Sequence, residues 1–321
     1  KDVSRRLKII PARFVVEESH VHKYACKHCQ EQDISTPVKA AQVEPPVIKG
    51  SIATAEAIAH IMTQKYVMYS PLYRQEQEYQ RAGVPLSRQT MSNWLLKAAS
   101  DWLQPVYERM KAELLKQDVL HADETTLQVL HEPGKKAQSK SYIWLYRTGR
   151  DAPQQLVLYE YQDSRRAAHP EDFLNGFKGY LHADGYAAYY KIPDIKVAAC
   201  WAHVRRKYEE ALQGTAKSEV TKLTNIQTGK QYCDRLFAIE SEINDLPAGE
   251  RLQKRKEIVE PLLKEFHDWL FRMNDGPKSL LGKAAHYNRK QWQWLTTYLE
   301  DGRLEISNNR AERSIKPFVM G

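Results

Sequence analysis

The spacing of apolar and polar residues changes period along the chain and divides it into stretches. From residue 51 to 117 the spacing is helical. In "TAEAIAHIMTQKYV", Ala55, Ile58, Ala59, Ile61 and Met62 recur on one helical face. "PLYRQEQEYQRAG" ends at Gly83, a residue suited to the position just past a helix. "VPLSRQTMSNWLLKAASDWL" then restarts with Ser87 as the expected N-cap. A helix, a glycine-containing turn and a helix opening with Arg88, Gln89, Thr90, Ser92 and Asn93 fit a helix-turn-helix. Those side chains suit base edges or phosphates, although a plain helical hairpin reads the same way.

From residue 118 the pattern belongs to strands. "DVLHADETTLQVL", "KSYIWLYRTG" and "QQLVLYEYQ" are rich in β-formers, with turn-like "PGKKAQSK" and "RDAPQ" between them. "HPEDFLNGF" predicts a short helix, "KGYLHADGY" a strand, and "DIKVAACWAHV" a strand running into the helix "RRKYEEAL". The expected order is three antiparallel strands, a helix, a strand, a helix, a strand and a helix. That is the order of a ribonuclease-H-like fold, an α/β arrangement of the α+β kind. Residues 208–300 return to helical spacing; Leu262, Leu263, Phe266, Trp269, Leu270 and Met273 form one broad face, read as core. The expected division is a partial zinc-binding-like segment at 1–45, a helical DNA-binding region at 46–117, a catalytic core at 118–207 plus 301–321, and a helical insertion at 208–300.

Composition narrows the partners. An excess of 48 Lys+Arg over 40 Asp+Glu gives a net charge of +8, which suits a polyanion, nucleic acid before an acidic membrane surface. No apolar run is long enough to span a membrane and no basic-then-apolar leader is visible, so a cytoplasmic location is expected. The absence of an initial methionine and the ending in mid-motif read as a trimmed fragment. Four cysteines in 321 residues do not make a disulfide framework. Cys26 and Cys29 have zinc-knuckle spacing, with His20, His22 and His28 nearby, but a closed site needs four ligands. Half of a zinc ribbon and a pair of free thiols on a β-turn are both open readings.

The candidate chemistry rests on three carboxylates. Asp123 lies within the first predicted strand, on the face of Val119, His121, Thr125, Leu127 and Val129, while Glu124 points the other way. An acid among apolar neighbours is paired, protonated or bound to a metal. Asp184 ends the fourth strand, and the string His-Ala-Asp occurs at both places, with His121 and His182 two positions before the acids. In this strand order the first and fourth strands are neighbours, so both acids can meet one cation. The third corner is Glu312 in "SNNRAERSIKP". Asn309 as a cap with Glu312 completing a capping box, or a Glu312–Lys316 pair, accounts for about 0.5–1 kcal/mol. Neither explains why Asn308, Asn309, Arg310 and Arg313 crowd the same turn, whereas ordering a phosphate beside a metal ligand does. Glu305 is the rival acid, placed before the helix. Three oxygen ligands suit Mg²⁺ or Mn²⁺, and two ions about 3.5–4 Å apart support an in-line displacement. No Walker-type glycine loop is present, which disfavours nucleotide hydrolysis.

"HADET", "LHADGYAAY", "CWAHVRRKYEEAL" and "LEISNNRAERSIKPF", in that order, resemble the transposase of the insertion-sequence-66 family, a DDE-type bacterial transposase. "HKYACKHC" and "KYVMYSPLYRQEQEYQRAGVPLSRQTMSNW" extend the likeness over nearly the whole chain. The resemblance implies a triad of Asp123, Asp184 and Glu312 on two divalent ions, cleavage at transposon ends, and transfer of 3′-hydroxyl ends into target DNA. It also implies a homo-oligomer, and Zn²⁺ in the N-terminal segment of the intact protein. The first cysteine pair of that segment is missing here, and the family pattern continues past Gly321. Cys200-x-x-His203 resembles a family motif; a place beside the metal or phosphate and a buried thiol with a helix-start histidine are both open. Arg206 joins the candidate DNA contacts, with Arg88, Gln89, Asn93, Asn308, Asn309, Arg310, Arg313 and Lys316. Two other readings share these features: a DNA-binding regulatory descendant without chemistry, and a ribonuclease-H-like structure-specific nuclease.

Overall fold

The computed structural model describes residues 3–8, 13–32, 35–216, 218, 220–274 and 276–320. The chain falls into two compact units, one running to Val106 and one from Tyr107 to Met320. In the first, β1 (Lys23–Ala25) and β2 (Val38–Ala40) pair antiparallel around α1 (Lys27–Glu31). Three helices follow, α2 (Ala55–Tyr66), α3 (Leu72–Arg81) and α4 (Arg88–Ala98). Ser87 Oγ accepts a hydrogen bond from Thr90 N at 3.1 Å, capping α4 as the sequence predicts, and Thr54 Oγ1 likewise caps α2 by accepting from Ala57 N at 3.2 Å. Gly83 follows α3 with φ +80°, a conformation that costs a residue with a Cβ 1 kcal/mol or so. Ile58, Ile61, Tyr79, Met91, Trp94 and Leu95 form the core of these helices. A π-helical turn at Ala99–Leu103 leads into α5 (Gln104–Leu114).

The second unit is built on β3 (Val119–Gln128), β4 (Lys140–Thr148), β5 (Val157–Gln162), α6 (Ala168–Phe173), β6 (Gly179–Ala183), β7 (Ile195–Ala199) and α7 (Trp201–Gly214). One mixed sheet has the order β5-β4-β3-β6-β7, antiparallel from β5 to β3 and parallel from β3 to β7. The strands lie where their alternation predicts. The helix expected between β6 and β7 does not form. That connection is short, is closed by Pro193, and holds only a 3₁₀ turn at Tyr189–Lys191.

Residues alternate between two cores across the sheet. Leu120, Ala122, Trp144, Tyr146 and Leu181 pack on one face with Phe173 and Tyr189. On the other, Val119 and Ala199 join Trp201, Tyr208, Phe266 and Leu270. That second core is supplied by α7, α8 (Val220–Glu242), α10 (Glu260–Arg272) and α11 (Leu280–Leu295), with α9 (Ala248–Lys254) between α8 and α10. The aromatic face of α10 is core, as its spacing predicts: Leu262, Leu263, Phe266 and Leu270 are buried, each worth about 1.5–3 kcal/mol of transfer free energy. Arg255, 1% exposed, ties these helices to the last connection through Glu240 and the carbonyls of Tyr298, Asp301 and Leu304 at 2.7–3.2 Å. Finally α12 (Asn309–Met320) lies against β3 and β4, its Ala311 and Ile315 on Leu145. No helix of the described residues is long and apolar enough to cross a membrane.

A candidate active site at the carboxyl ends of the parallel strands

Because β3, β6 and β7 run in one direction, the residues beyond their common register emerge along one edge of the sheet. His121 pairs with His182, and His182 with Ala198. Asp123 and Asp184 each come two residues after their paired histidine, and Cys200 directly follows β7. Across antiparallel β4, Asp123 is the partner of Leu145, and cross-strand partners share a face. Leu145 packs on Ala311 and Ile315, so Asp123 faces the side that α12 covers. Glu312 sits in the first turn of that helix. At Asp184 the turn is held by its own Oδ1, which accepts from Tyr186 N at 2.9 Å. A Cβ at the intervening Gly185 would lie 3.0 Å from Tyr287 Oη, so the backbone approaches α11 closely there.

The electrostatics arise from this convergence. Burial pushes the Asp123 carboxyl up to about 7; the charge of Glu124 adds, those of Asp184 and Glu312 add further, and a hydrogen bond from Glu124 N at 2.9 Å opposes. A cleft of about 1030 Å³ opens here, lined among others by Asp123, His203, Arg206, Asn309, Glu312, Arg313 and Lys316. Glu312 Oε1 and His203 Nδ1 are buried in it without hydrogen-bond partners, 3.9 Å apart, while Arg206 Nη2 lies 3.6 Å from Glu312 Oε2. Burial lowers the His203 imidazole, with the Glu312 charge opposing. A strained carboxyl facing other acids, beside an orphaned carboxylate oxygen, is a donor set that fits a hard divalent cation.

Beneath these acids lies a polar network that the sequence did not disclose. The His121 and His182 rings stack with centroids 4.4 Å apart. His121 Nε2 is 3.0 Å from Glu305 Oε2, and His182 Nε2 accepts from Glu305 N at 3.0 Å. Burial lowers the His182 imidazole well below its usual range, consistent with that acceptor role. Glu305 grips Arg310 through two bonds, at 2.6 and 3.0 Å. Burial alone would raise its carboxyl, but the bonds from His121 and Arg310 prevail and hold it low. Asn308 is the knot. Its Nδ2 donates to Ala122 O at 2.8 Å, its Oδ1 meets His121 Nδ1 at 3.0 Å, and its backbone N–H donates to Cys200 Sγ at 3.2 Å. Its carbonyl accepts from Ala311 N and Glu312 N, so it ties the start of α12 to β3 and to the end of β7. Burial pushes the Cys200 thiol up to about 11.

The predicted residues thus separate into groups. Asp123, His203, Arg206, Asn309, Glu312, Arg313 and Lys316 share the cleft, and the Asp184 charge acts on Asp123. Two expected DNA contacts are turned inward instead. Asn308 is 1% exposed with its amide engaged, and the guanidinium of Arg310 is held by Glu305. The capping box also gives way, since Asn309 is already the first helical residue and Asn308 precedes it. Glu305 lies before the helix, where the sequence puts it. Arg88, Gln89 and Asn93 are exposed on α4 in the other unit, with Gln89 Nε2 donating to Asn93 Oδ1 at 3.0 Å. Cys26 is exposed and Cys29 half-buried, both thiols free. Hydrogen bonds from the Cys29 backbone and thiol lower Cys26, but among the described residues no third ligand gathers with them. Sequence reasoning missed Arg165, whose Nε donates to the buried Glu124 at 2.8 Å while its Nη2 lies 3.9 Å from Asp184 Oδ2; Tyr189 Oη also donates to Glu124 at 2.9 Å. The acid directly after Asp123 was the available signal.

Comparison with known proteins agrees with the motif resemblance. Residues 50–321 match the model of the family described as "Transposase IS66 family", and residues 1–30 match that of the "zinc-finger binding domain of transposase IS66". Among curated proteins of Sinorhizobium fredii (strain NBRC 101917 / NGR234), the chain is 30% identical over 332 residues to uncharacterized protein y4jD, covering 99% of this chain and 62% of that one. It is 31% identical over 346 residues to uncharacterized protein y4hP, covering 100% and 60%. The chain therefore spans about three-fifths of the length of these relatives. The acids just past the parallel register, the helix that comes after them and this match over most of the sequence lead to one assignment: the chain belongs to the IS66 family of transposases.

Proposed function

We propose that this chain carries the catalytic part of a DNA transposase, which cleaves at transposon ends and transfers the 3′-hydroxyl ends into target DNA using Mg²⁺ or Mn²⁺. The observation that carries the proposal is that Asp184 and Glu312, acids remote in sequence from Asp123 and from each other, both act through their charges on the Asp123 carboxyl. On this reading the sheet order is that of a ribonuclease-H-like core, and the three carboxylates hold two ions. When bound, the ions would activate the attacking oxygen and stabilise the leaving one in an in-line displacement at phosphorus. The chain's own residues prepare that step. Arg165, held by Glu124, faces Asp184, and Asn308 holds the turn that presents Glu312. Arg206, Arg313, Lys316 and Asn309 surround the cleft with donors that suit backbone phosphates. Arg88, Gln89 and Asn93 on α4 are proposed to meet DNA in helix-turn-helix fashion. Cys26 and Cys29 are proposed as part of a zinc site of the longer protein, and action on paired ends calls for a homo-oligomer.

The test is a strand-transfer assay with labelled transposon-end DNA, Mg²⁺ or Mn²⁺ and a plasmid target. The wild type should give cleaved and joined products, and Asp123→Asn should give neither while retaining DNA binding. Cleavage without joining would turn the reading to a structure-specific nuclease. Binding without either product in the wild type would turn it to a regulatory DNA-binding descendant.

A further inference from the structure

We propose that His203 supplies a nitrogen ligand to a divalent cation shared with Glu312, so that this site prefers Mn²⁺ over Mg²⁺. The inference rests on the metal reading above and adds to it a ligand of a different chemical kind. His203 stands in the first turn of α7, its N–H donating to Cys200 O at 3.2 Å, which fixes where the ring leaves the backbone. Its Nδ1 is buried and has no hydrogen-bond partner, and neither has Glu312 Oε1. The two atoms face each other at 3.9 Å. That is too long for a hydrogen bond. Two ligands each about 2.1 Å from one ion lie roughly 3 Å apart at a right angle and about 4.2 Å apart when opposed, so one ion can touch both.

The surroundings decide between occupants. A phosphate oxygen between these atoms would meet the Glu312 carboxylate at close range and be repelled. A cation is attracted by the same carboxylate and by Asp123 across the cleft. Arg206 contacts Oε2 at 3.6 Å and leaves Oε1 free for the ion. Cys200 completes a group of potential ligands whose atoms lie within 4.8 Å of one another, but its sulfur is buried and accepts the Asn308 N–H at 3.2 Å. It serves the turn, and His203 and Glu312 serve the ion. An imidazole beside carboxylates raises affinity for Mn²⁺ more than for Mg²⁺, which favours an all-oxygen octahedron.

The experiment uses the chain stripped with EDTA and free of DNA. Calorimetric titrations with Mn²⁺ and with Mg²⁺ are compared for the wild type, His203→Gln and Asp123→Asn. Pulsed electron paramagnetic resonance of the Mn²⁺-loaded protein reads directly bonded nitrogen. The wild type should show a nitrogen coupling that changes on ¹⁵N-histidine labelling, a readout that needs no variant to fold. His203→Gln should lose that coupling and weaken Mn²⁺ binding by about tenfold or more, with Mg²⁺ binding changed less than about threefold. Mn²⁺ binding that depends on Asp123 but shows no nitrogen coupling would overturn the role of His203 and leave the triad reading standing. A wild type that binds neither cation would overturn both.

Discussion

Replacing Asp123 by asparagine should make the metal-free protein more stable at alkaline pH, although it removes a residue of the site. The Asp123 carboxyl is held at about 7 in the folded chain, by burial first and by the charges of Glu124, Asp184 and Glu312. In the unfolded chain an aspartate titrates near 3.9. The folded state therefore binds the proton more tightly. Its advantage is complete below about pH 4 and is lost as pH rises through about 7. The gap of about three units corresponds to about 4 kcal/mol, an upper bound because water and mobile side chains soften the repulsion. Asparagine is isosteric, carries no charge, and its Oδ1 can still accept from Glu124 N, now 2.9 Å from the carboxylate. For a unit of this size each kcal/mol moves the midpoint by about 2–4 °C, so Asp123→Asn should melt some 5–15 °C higher at pH 8. Near pH 4 the two proteins should melt together. The assay is calorimetric melting in EDTA at pH 4.5, 6 and 8, repeated with millimolar Mn²⁺. Added Mn²⁺ should stabilise the wild type by mass action and leave the variant unmoved, reversing their order. If the variant in EDTA melts at or below the wild type at pH 8, the carboxyl is not under electrostatic strain and the reasoning fails.

The geometry of α12 makes two further outcomes testable. Asn308→Ala removes two side-chain hydrogen bonds in a buried turn and strands the Ala122 carbonyl; it should cost about 2–3 kcal/mol in a denaturant titration. It should also weaken Mn²⁺ binding, because the turn presenting Glu312 is no longer tied to β3; unchanged affinity would show that α12 is held otherwise. Wild-type affinity for DNA should fall linearly in a log–log plot against salt, and Arg313→Ala and Lys316→Ala should each lower the slope by about one, since each releases one phosphate contact. A slope unaltered by both would remove α12 from the DNA surface.

The strands, most helices and two helix caps were legible because their causes are local. Period-two alternation around Asp123, helical spacing around Phe266, the hydroxyl of Ser87 and the backbone of Gly83 act within a few residues. The repeated His-Ala-Asp string could be read as a pair once the strand order was inferred, because register carries equal offsets to equal heights. The local signal was misleading at the turn before α12. Asn308, Asn309, Arg310 and Arg313 read as a surface for phosphate, yet Asn308 and Arg310 are spent on His121 and Glu305, residues whose nearness no spacing encodes.

The order of residues alone establishes which segments alternate, that one acid falls within a strand and another at a strand's end, and to which family the chain compares. It took the folded chain to show which face α12 covers, that Asn308 knots three elements, that Arg165 bridges Glu124 and Asp184, and that His203 and Glu312 leave unpartnered atoms facing each other. The difference is physical. Propensity and periodicity are properties of neighbours along the chain, whereas burial, charge coupling and hydrogen-bond satisfaction are set by groups as distant in sequence as His121 and Asn308, 187 residues apart.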